Sequence, residues 1–344
     1  MFKRELGQFY TTNYAYILDG MNIPENITTI IEPFVGNGDL LKFIKDDKYN
    51  IELYDIDPKI DNVIEKDTIL DPPDYKGKFV LTNPPYIARN KNKNKQLYDK
   101  YNCNDLYKCF ISILLDDVCD GGLIIVPLNF LSSIRKSDIE LRKKFVTIYD
   151  ITRVNIFEER VFVDTSYTVC SILFSKRVYN TLESSTNFTI YPSMRTMNIT
   201  ICENNNYTIG GEIYSLPQNK IYKIKRATKN TSTDYITNIL LKCIDDNINN
   251  KLGFKIVDDK ERYNYIDRTL NLTARSYAIL IINKKMTIKE QEILVSKMNV
   301  FITQMREKYN SLFLTNFRES NSIARKRISF SLAFKICNYI LGSS

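Results

Sequence analysis

The apolar and polar positions of the chain divide it into two stretches of different texture. Up to about residue 176, short β-branched apolar runs recur: Ile27 to Ile31, Ile51 to Tyr54, Phe79 to Thr82 and Leu123 to Val126. Each is bounded by turn residues and reads as a strand, Ile27 to Ile31 as a buried one. Between them, Tyr14 to Gly20, Leu40 to Ile44 and Leu106 to Cys119 read as helices, the last behind Asn104-Asp105 as a cap. Ser137-x-x-Glu140 predicts a capping box for a further helix, and two more strands are expected over Ile148 to Ile156 and Ser166 to Phe174. Strands alternating with helices predict an α/β domain, doubly wound about a mainly parallel sheet. Past Lys176-Arg177 the alternation gives way to short polar strands, Phe188 to Tyr191 and Met197 to Ile201, and to Asn-rich connections. Two helices are predicted near the end. Thr287-x-x-Glu290 caps the first, with Ile293, Leu294, Met298, Phe301 and Met305 on its buried face, and the second runs from Ile328 to Leu341. The change in texture predicts two domains, 1–176 and 177–344, the second α+β.

Composition narrows the class. The chain has 344 residues, 44% hydrophobic and 26% charged, as in a globular protein. It has no His, and its seven Cys form no CxxC pair, which argues against a zinc site and any His-based triad. Scattered thiols without a signal peptide predict a reduced, cytoplasmic protein. No apolar run is long enough to span a membrane. The net charge of +8 permits a polyanionic partner without demanding one. Two basic segments are candidates for phosphate contacts. One is Lys220, Lys223, Lys225, Arg226 and Lys229 around Tyr222, and the other is Arg325-Lys326-Arg327. In each case a solvated face is the alternative.

The candidate chemistry lies in three turns of the first stretch. The first strand runs into Glu32-Pro33-Phe34-Val35-Gly36-Asn37-Gly38-Asp39. Strand, Gly-rich turn and helix form the first unit of a doubly wound sheet, and ligands sit at that turn. A dinucleotide fingerprint wants a third Gly at position 41, which is Leu, so the turn argues against NAD. An acid at the strand end, Glu32, suits a cationic ligand. Asp55 closes the second strand and is placed for ribose hydroxyls, with Asp57 as runner-up. The third turn is Asn83-Pro84-Pro85-Tyr86. The prolines restrict the backbone so that the Asn83 amide oxygen and the Pro84 carbonyl can converge on one point. Two acceptors at one point suit an amino group, which has two hydrogens to give. Drawn out of planarity, an exocyclic amine regains its lone pair as a nucleophile, and Tyr86 offers a face for the ring to stack on. The basic run behind it, Arg89, Lys91, Lys93 and Lys95 among asparagines, is a solvated loop or a flap that meets phosphates.

With these motifs in this order, the chain resembles the DNA N6-adenine methyltransferases of restriction–modification systems. Cofactor motifs come first, Asn-Pro-Pro-Tyr next and a recognition domain last, the gamma order of that family. The resemblance covers the first half motif by motif and the second by position. It implies a seven-stranded S-adenosylmethionine-dependent methyltransferase sheet over residues 1–176, with helices on both faces and one antiparallel edge strand. Residues 177–344 would then be a DNA target-recognition domain. The implied cofactor is S-adenosylmethionine, held by Glu32, Phe34, Gly36, Gly38, Asp55, Ile56, Thr68 and Asn83. Asp67 would take the cofactor adenine's amino group, and Thr11, closing a Gly-x-x-x-Thr segment from Gly7, would lie over the methionine end. Phe162, with Phe157 as alternate, is placed like the family's Phe that stacks with Tyr86 on a flipped base. Double-stranded DNA is the implied partner, a cognate restriction endonuclease acting on the same site is a further expectation of the resemblance, and a monomer is expected rather than a dimer. Three rivals stay open: an N4-cytosine enzyme, an RNA or protein-glutamine amine methyltransferase, and an inactive DNA-binding relative.

Overall fold

The computed structural model describes residues 9–162, 168–178, 185–228, 230–231, 234–245, 251–268, 276–319 and 324–343, without the side chains of 267–268, 315–319 and 324–325. Two compact units are present, Met1–Thr208 and Ile209–Ser344.

The first unit is built on one mixed sheet. Its strands are β1 (Thr29–Glu32), β2 (Asn50–Asp55), β3 (Ile64–Glu65), β4 (Phe79–Thr82), β5 (Gly121–Pro127), β6 (Tyr149–Phe157), β7 (Val169–Lys176), β8 (Ser185–Tyr191) and β9 (Arg195–Thr200). Their order is β3-β2-β1-β4-β5-β7-β6-β8-β9. The β3-β2-β1-β4-β5 run is parallel throughout. Two expectations need correction here. Among the described residues the sheet has nine strands, not seven, and its first antiparallel strand, β7, lies inside the sheet between β5 and β6. The added strands also move the boundary. β8 pairs in parallel with β6, β9 pairs with β8, and the unit continues to Thr208 instead of ending at residue 176. Ser166 and Tyr167, expected in β7, lie outside the described residues.

The helices are α1 (Tyr14–Ile17), α2 (Gln96–Lys100), α3 (Leu106–Asp116), α4 (Asn129–Ser132) and α5 (Lys136–Ile148). They are concentrated after β4. The connection from β1 to β2 carries only a 3-10 helix, Asp39–Phe43, and those from β2 to β3 and from β3 to β4 carry none. The double winding expected there is therefore reduced to turns, and Ile51 and Ile64 stay 40% and 56% exposed. Every residue of β5, at the centre, is buried.

Polar side chains inside this unit decide what patterning could not. α5 starts one residue before Ser137, with Arg135 at the N-cap position, so the predicted capping box does not form. Asp138 instead pairs with Lys108 of α3 at 2.7 Å, both buried. Arg142 is 1% exposed and donates to four oxygens: the carbonyls of Phe130 (2.7 Å), Ser133 (2.5 Å) and Tyr207, and the Thr208 hydroxyl (2.6 Å). It pins the start of α4 and the end of the unit to one helix. A buried charge is tolerated when its donors are filled this way.

The second unit holds a four-stranded antiparallel sheet, order β10-β13-β11-β12, and a hairpin β14-β15. The strands are β10 (Ile224–Arg226), β11 (Ile236–Lys242), β12 (Gly253–Ile256), β13 (Tyr277–Ile282), β14 (Thr315–Glu319) and β15 (Ala324–Arg327). The helices are α6 (Asp259–Arg268), α7 (Ile288–Tyr309) and α8 (Phe330–Gly342). The Thr287–Glu290 capping box is present at α7. Its buried face is Leu294, Val295, Met298 and Ile302, while Ile293 is 50% exposed. Gln291 turns the helix to that face, accepting from the Asn238 N–H of β11 at 2.7 Å.

Candidate active site

The Gly-rich turn after β1 takes its shape from two left-handed residues. Gly36 has φ +55°, and a Cβ there would lie 3.2 Å from the Tyr10 ring. Gly38 has φ +75°, and a Cβ would lie 2.8 Å from Ile60 Cδ1. Both positions therefore favour glycine. Asp55 fastens this turn to the end of β2: one carboxylate oxygen accepts from Gly36 N at 2.7 Å and the other from Asp57 N at 2.8 Å. The Thr68 hydroxyl donates to the Pro33 carbonyl at 2.9 Å, adding a third segment.

These turns and Asn83 enclose one cavity of about 420 Å³. Among the residues named from the sequence, Thr11, Phe34, Gly36, Asp55, Ile56, Asp67, Thr68, Asn83 and Pro85 line it. Phe34 is braced edge-on by Phe110 at 5.0 Å. Asp67 turns one oxygen back to the N–H groups of Ile69 (3.1 Å) and Leu70 (3.0 Å). Asp57 is a surface residue, paired with Lys59 at 2.6 Å, which holds its carboxyl below the usual range.

Glu32 and Gly38 are not in the lining. Glu32 is 1% exposed and shapes the turn by accepting from Phe34 N at 3.2 Å and from the Thr82 hydroxyl. Its other oxygen has no hydrogen-bond partner among the described residues, and burial pushes the carboxyl up to about 8. Phe9, Asn92, Asn94 and Leu97, which no motif of the sequence marks as site residues, also line the cavity. The Asn–Lys alternation was the available signal for two of them. Asn92 accepts from Asn94 N at 3.1 Å and Asn94 from Gln96 N at 3.0 Å, so the asparagines brace their own loop. Lys91, Lys93 and Lys95 are exposed, and Arg89 pairs with Asp99 at 2.7 Å.

The Asn-Pro-Pro-Tyr turn follows β4 and is held from three sides. Asn83 Nδ2 donates to the Phe9 carbonyl at 2.6 Å and to the Thr11 hydroxyl at 3.0 Å. Asn83 Oδ1 accepts from the Tyr86 hydroxyl, which also reaches the Ile125 carbonyl at 2.6 Å. Pro84 is buried, and Pro84 and Tyr86 lie outside the cavity lining. The Phe9 ring stacks on Tyr86, centroids 5.3 Å apart and planes at 26°, and tilts against Phe162 at 6.4 Å. Tyr86 and Phe162 are each 4% exposed. The structure thus brings Asn83, Tyr86 and Phe162 together, with Phe9 between the two rings. Phe157, the alternate to Phe162, belongs to the core, stacked on Tyr191 at 5.2 Å. Gly7 lies outside the described residues.

Of the basic residues, Lys223 and Lys225 are exposed beside and on the edge strand β10, and Arg226 lies over the Phe330 ring at 5.3 Å. Arg327 is half-buried. Lys229 and the Arg325 side chain lie outside the described set. Lys326 corrects the expectation of a phosphate contact: it is 2% exposed, a buried stem inside the second unit.

Residues 23–162 match the family model described as Eco57I restriction-modification methylase, less than half of the chain. Comparison with curated proteins finds no match. Among solved structures, the chain is similar to a modification subunit of a putative type I restriction enzyme from Vibrio vulnificus YJ016 (14% identity, TM-score 0.39, 55% of this chain and 48% of that one). It is also similar to a type I restriction-modification system methyltransferase subunit from Streptococcus thermophilus (16%, 0.39, 58% and 52%). A third is a putative class I S-adenosylmethionine-dependent methyltransferase from Listeria monocytogenes (12%, 0.41, 56% and 70%). The chain spans about half the length of the first two.

Proposed function

We propose that the protein is an S-adenosylmethionine-dependent DNA methyltransferase acting on the N6 amino group of an adenine extruded from duplex DNA. The observation that carries this is the junction of one cavity with one turn. Asn83 lines the same cavity as the Gly36 turn, Asp55 and Asp67, so a nucleoside cofactor and a target amine would meet at its amide. The residues present fit the cofactor. A cavity of about 420 Å³ suits a nucleoside with a short chain, and Asp55 carries lone pairs suited to ribose hydroxyls. A bound cation would favour ionisation of Glu32, whose second oxygen has no hydrogen-bond partner among the described residues. The match of residues 23–162 to a restriction-modification methylase model supports the same class.

The bound cofactor would supply an electrophilic methyl on a sulfonium, which the amine takes as the C–S bond breaks and neutral thioether leaves. The chain's part is to hold the amine. Asn83 Oδ1 and the Pro84 carbonyl accept its two hydrogens, localising the lone pair that forms the new C–N bond. The nitrogen then sheds one proton to water, so no dedicated base is required. Tyr86 and Phe162 receive the ring, at about 1–3 kcal/mol per stacked base, against a few kcal/mol for extrusion. Phe9 occupies that position in the structure and has to leave it. The second unit, with the exposed Lys223 and Lys225, would bind and read the duplex. A restriction endonuclease sharing the site, and a monomeric enzyme, complete the proposal.

The test is methyl transfer from labelled S-adenosylmethionine to DNA, with the labelled nucleoside identified and the site mapped by modification-sensitive sequencing. Label in N6-methyladenine is expected. Label in N4-methylcytosine, RNA or protein selects a rival instead. Asn83→Ala should lose about 10²–10³ in single-turnover rate while keeping its affinity for cofactor and duplex. Near-normal turnover in that variant would overturn the mechanism.

A further inference from the structure

The amide of Asn83 has two ends, and only one of them is useful to an incoming amine. Presented with its oxygen, the side chain accepts; presented with its nitrogen, it sets donor against donor. What decides the orientation lies in a segment far away in sequence. The Phe9 carbonyl, 2.6 Å from one end, can only accept, so that end is Nδ2. Its second hydrogen goes to the Thr11 hydroxyl at 3.0 Å. Thr11 is 4% exposed, which limits the access of water to this contact. With both hydrogens taken, the amide plane is set, and Oδ1 faces the Tyr86 hydroxyl and the position proposed for the target amine.

We propose that Thr11 is a positioning residue for Asn83, separate from any contact it makes with cofactor. The inference rests on the methyl-transfer function proposed above for this site. The hydroxyl acts through Asn83 alone: it holds the amide plane so that Oδ1 points at the amine when the base arrives. Without it one N–H loses its partner, and the amide keeps the Phe9 carbonyl at Nδ2 and the Tyr86 hydroxyl at Oδ1. The Tyr86 hydroxyl can rotate away when the amine takes Oδ1, so the Thr11 contact is what keeps the amide plane set at the moment of reaction. A preorganised acceptor is worth more than one that must be oriented during reaction.

The experiment compares Thr11→Val, which keeps shape and loses the acceptor, with Thr11→Ser, which keeps it. Thr11→Ala serves as a second variant without a hydroxyl should the valine not fold. At saturating S-adenosylmethionine, the single-turnover rate of Thr11→Val should fall about tenfold, the scale of one lost neutral hydrogen bond. Cofactor Kd should change less than about twofold, and Thr11→Ser should recover most of the rate. In an Asn83→Ala background, Thr11→Val should cost nothing further. A readout independent of catalysis is the side-chain NH₂ pair of Asn83, assigned by its loss in Asn83→Ala. In Thr11→Val one of its two protons should move and exchange faster. A raised Kd with an unchanged saturated rate would make Thr11 a cofactor contact only, and an unmoved NH₂ pair would remove the contact itself. A parent protein that methylates no DNA adenine would sink the functional proposal, while the NH₂ signals would still test Thr11 against Asn83.

Discussion

Removing the Phe9 ring should make the enzyme better at capturing its base. In the structure that ring lies on Tyr86 at 5.3 Å, with planes at 26°, and touches Phe162 at 6.4 Å. These are the surfaces assigned to the extruded adenine, so ring and base compete for one place. An aromatic pair contributes about 0.5–1.5 kcal/mol beyond area burial. A base on an aromatic ring contributes about 1–3 kcal/mol. The competitor is therefore strong enough to matter and weak enough to be displaced. Phe9→Ala deletes the ring and leaves the backbone carbonyl that accepts from Asn83 at 2.6 Å, so the amide keeps its orientation. Capture should then improve roughly two- to tenfold, the factor corresponding to the lost pair. The assay is a duplex with 2-aminopurine at the mapped target position, titrated with enzyme under saturating cofactor product. Emission reports the extruded base. Phe9→Leu, which keeps bulk without a face to stack, should fall between parent and alanine. Emission that is unchanged or lower in Phe9→Ala, with cofactor affinity intact, would show that the ring supports the site and does not occupy the place of the base.

Three other changes separate the remaining roles. Asp55→Ala removes the acceptor of Gly36 N and Asp57 N together with the proposed ribose contact, and titration calorimetry should show roughly 1.5–3 kcal/mol less cofactor binding; unchanged affinity would take Asp55 out of the site. Burial pushes Glu32 up to about 8 from an ordinary value of 4.5, so its neutral form favours the folded apoprotein. That contribution is whole below 4.5, declines as pH rises and is gone above about 8. Urea denaturation should therefore show the parent losing stability relative to Glu32→Gln between about pH 4.5 and about pH 8, and parallel curves would contradict it. Lys223→Ala and Lys225→Ala should each flatten the salt dependence of duplex binding by about 0.9 in logarithmic slope. Lys326→Met, at a position 2% exposed, should leave that slope alone.

Much of the site was legible in the sequence because its backbone is decided within a few residues. Gly36 and Gly38 must adopt positive φ, the two prolines restrict the turn behind β4, and Thr287 with Glu290 closes a capping box on itself. None of these depends on a distant partner, so residue types at fixed spacing suffice. The tertiary structure decided what depends on residues meeting across the fold. Phe9 reaches Tyr86, and Thr11 and Phe9 orient Asn83, only because the segment before α1 returns over the end of β4. β8 and β9 extend the sheet through pairing with β6, which alternation along the chain cannot announce. Arg142, a cation on a helix with ordinary surface spacing, is buried because four oxygens from two other segments converge on it. Lys326 reads as a basic surface residue and is buried all the same. A charge pattern records what a residue can bond to, and only packing determines whether water or protein supplies the partner.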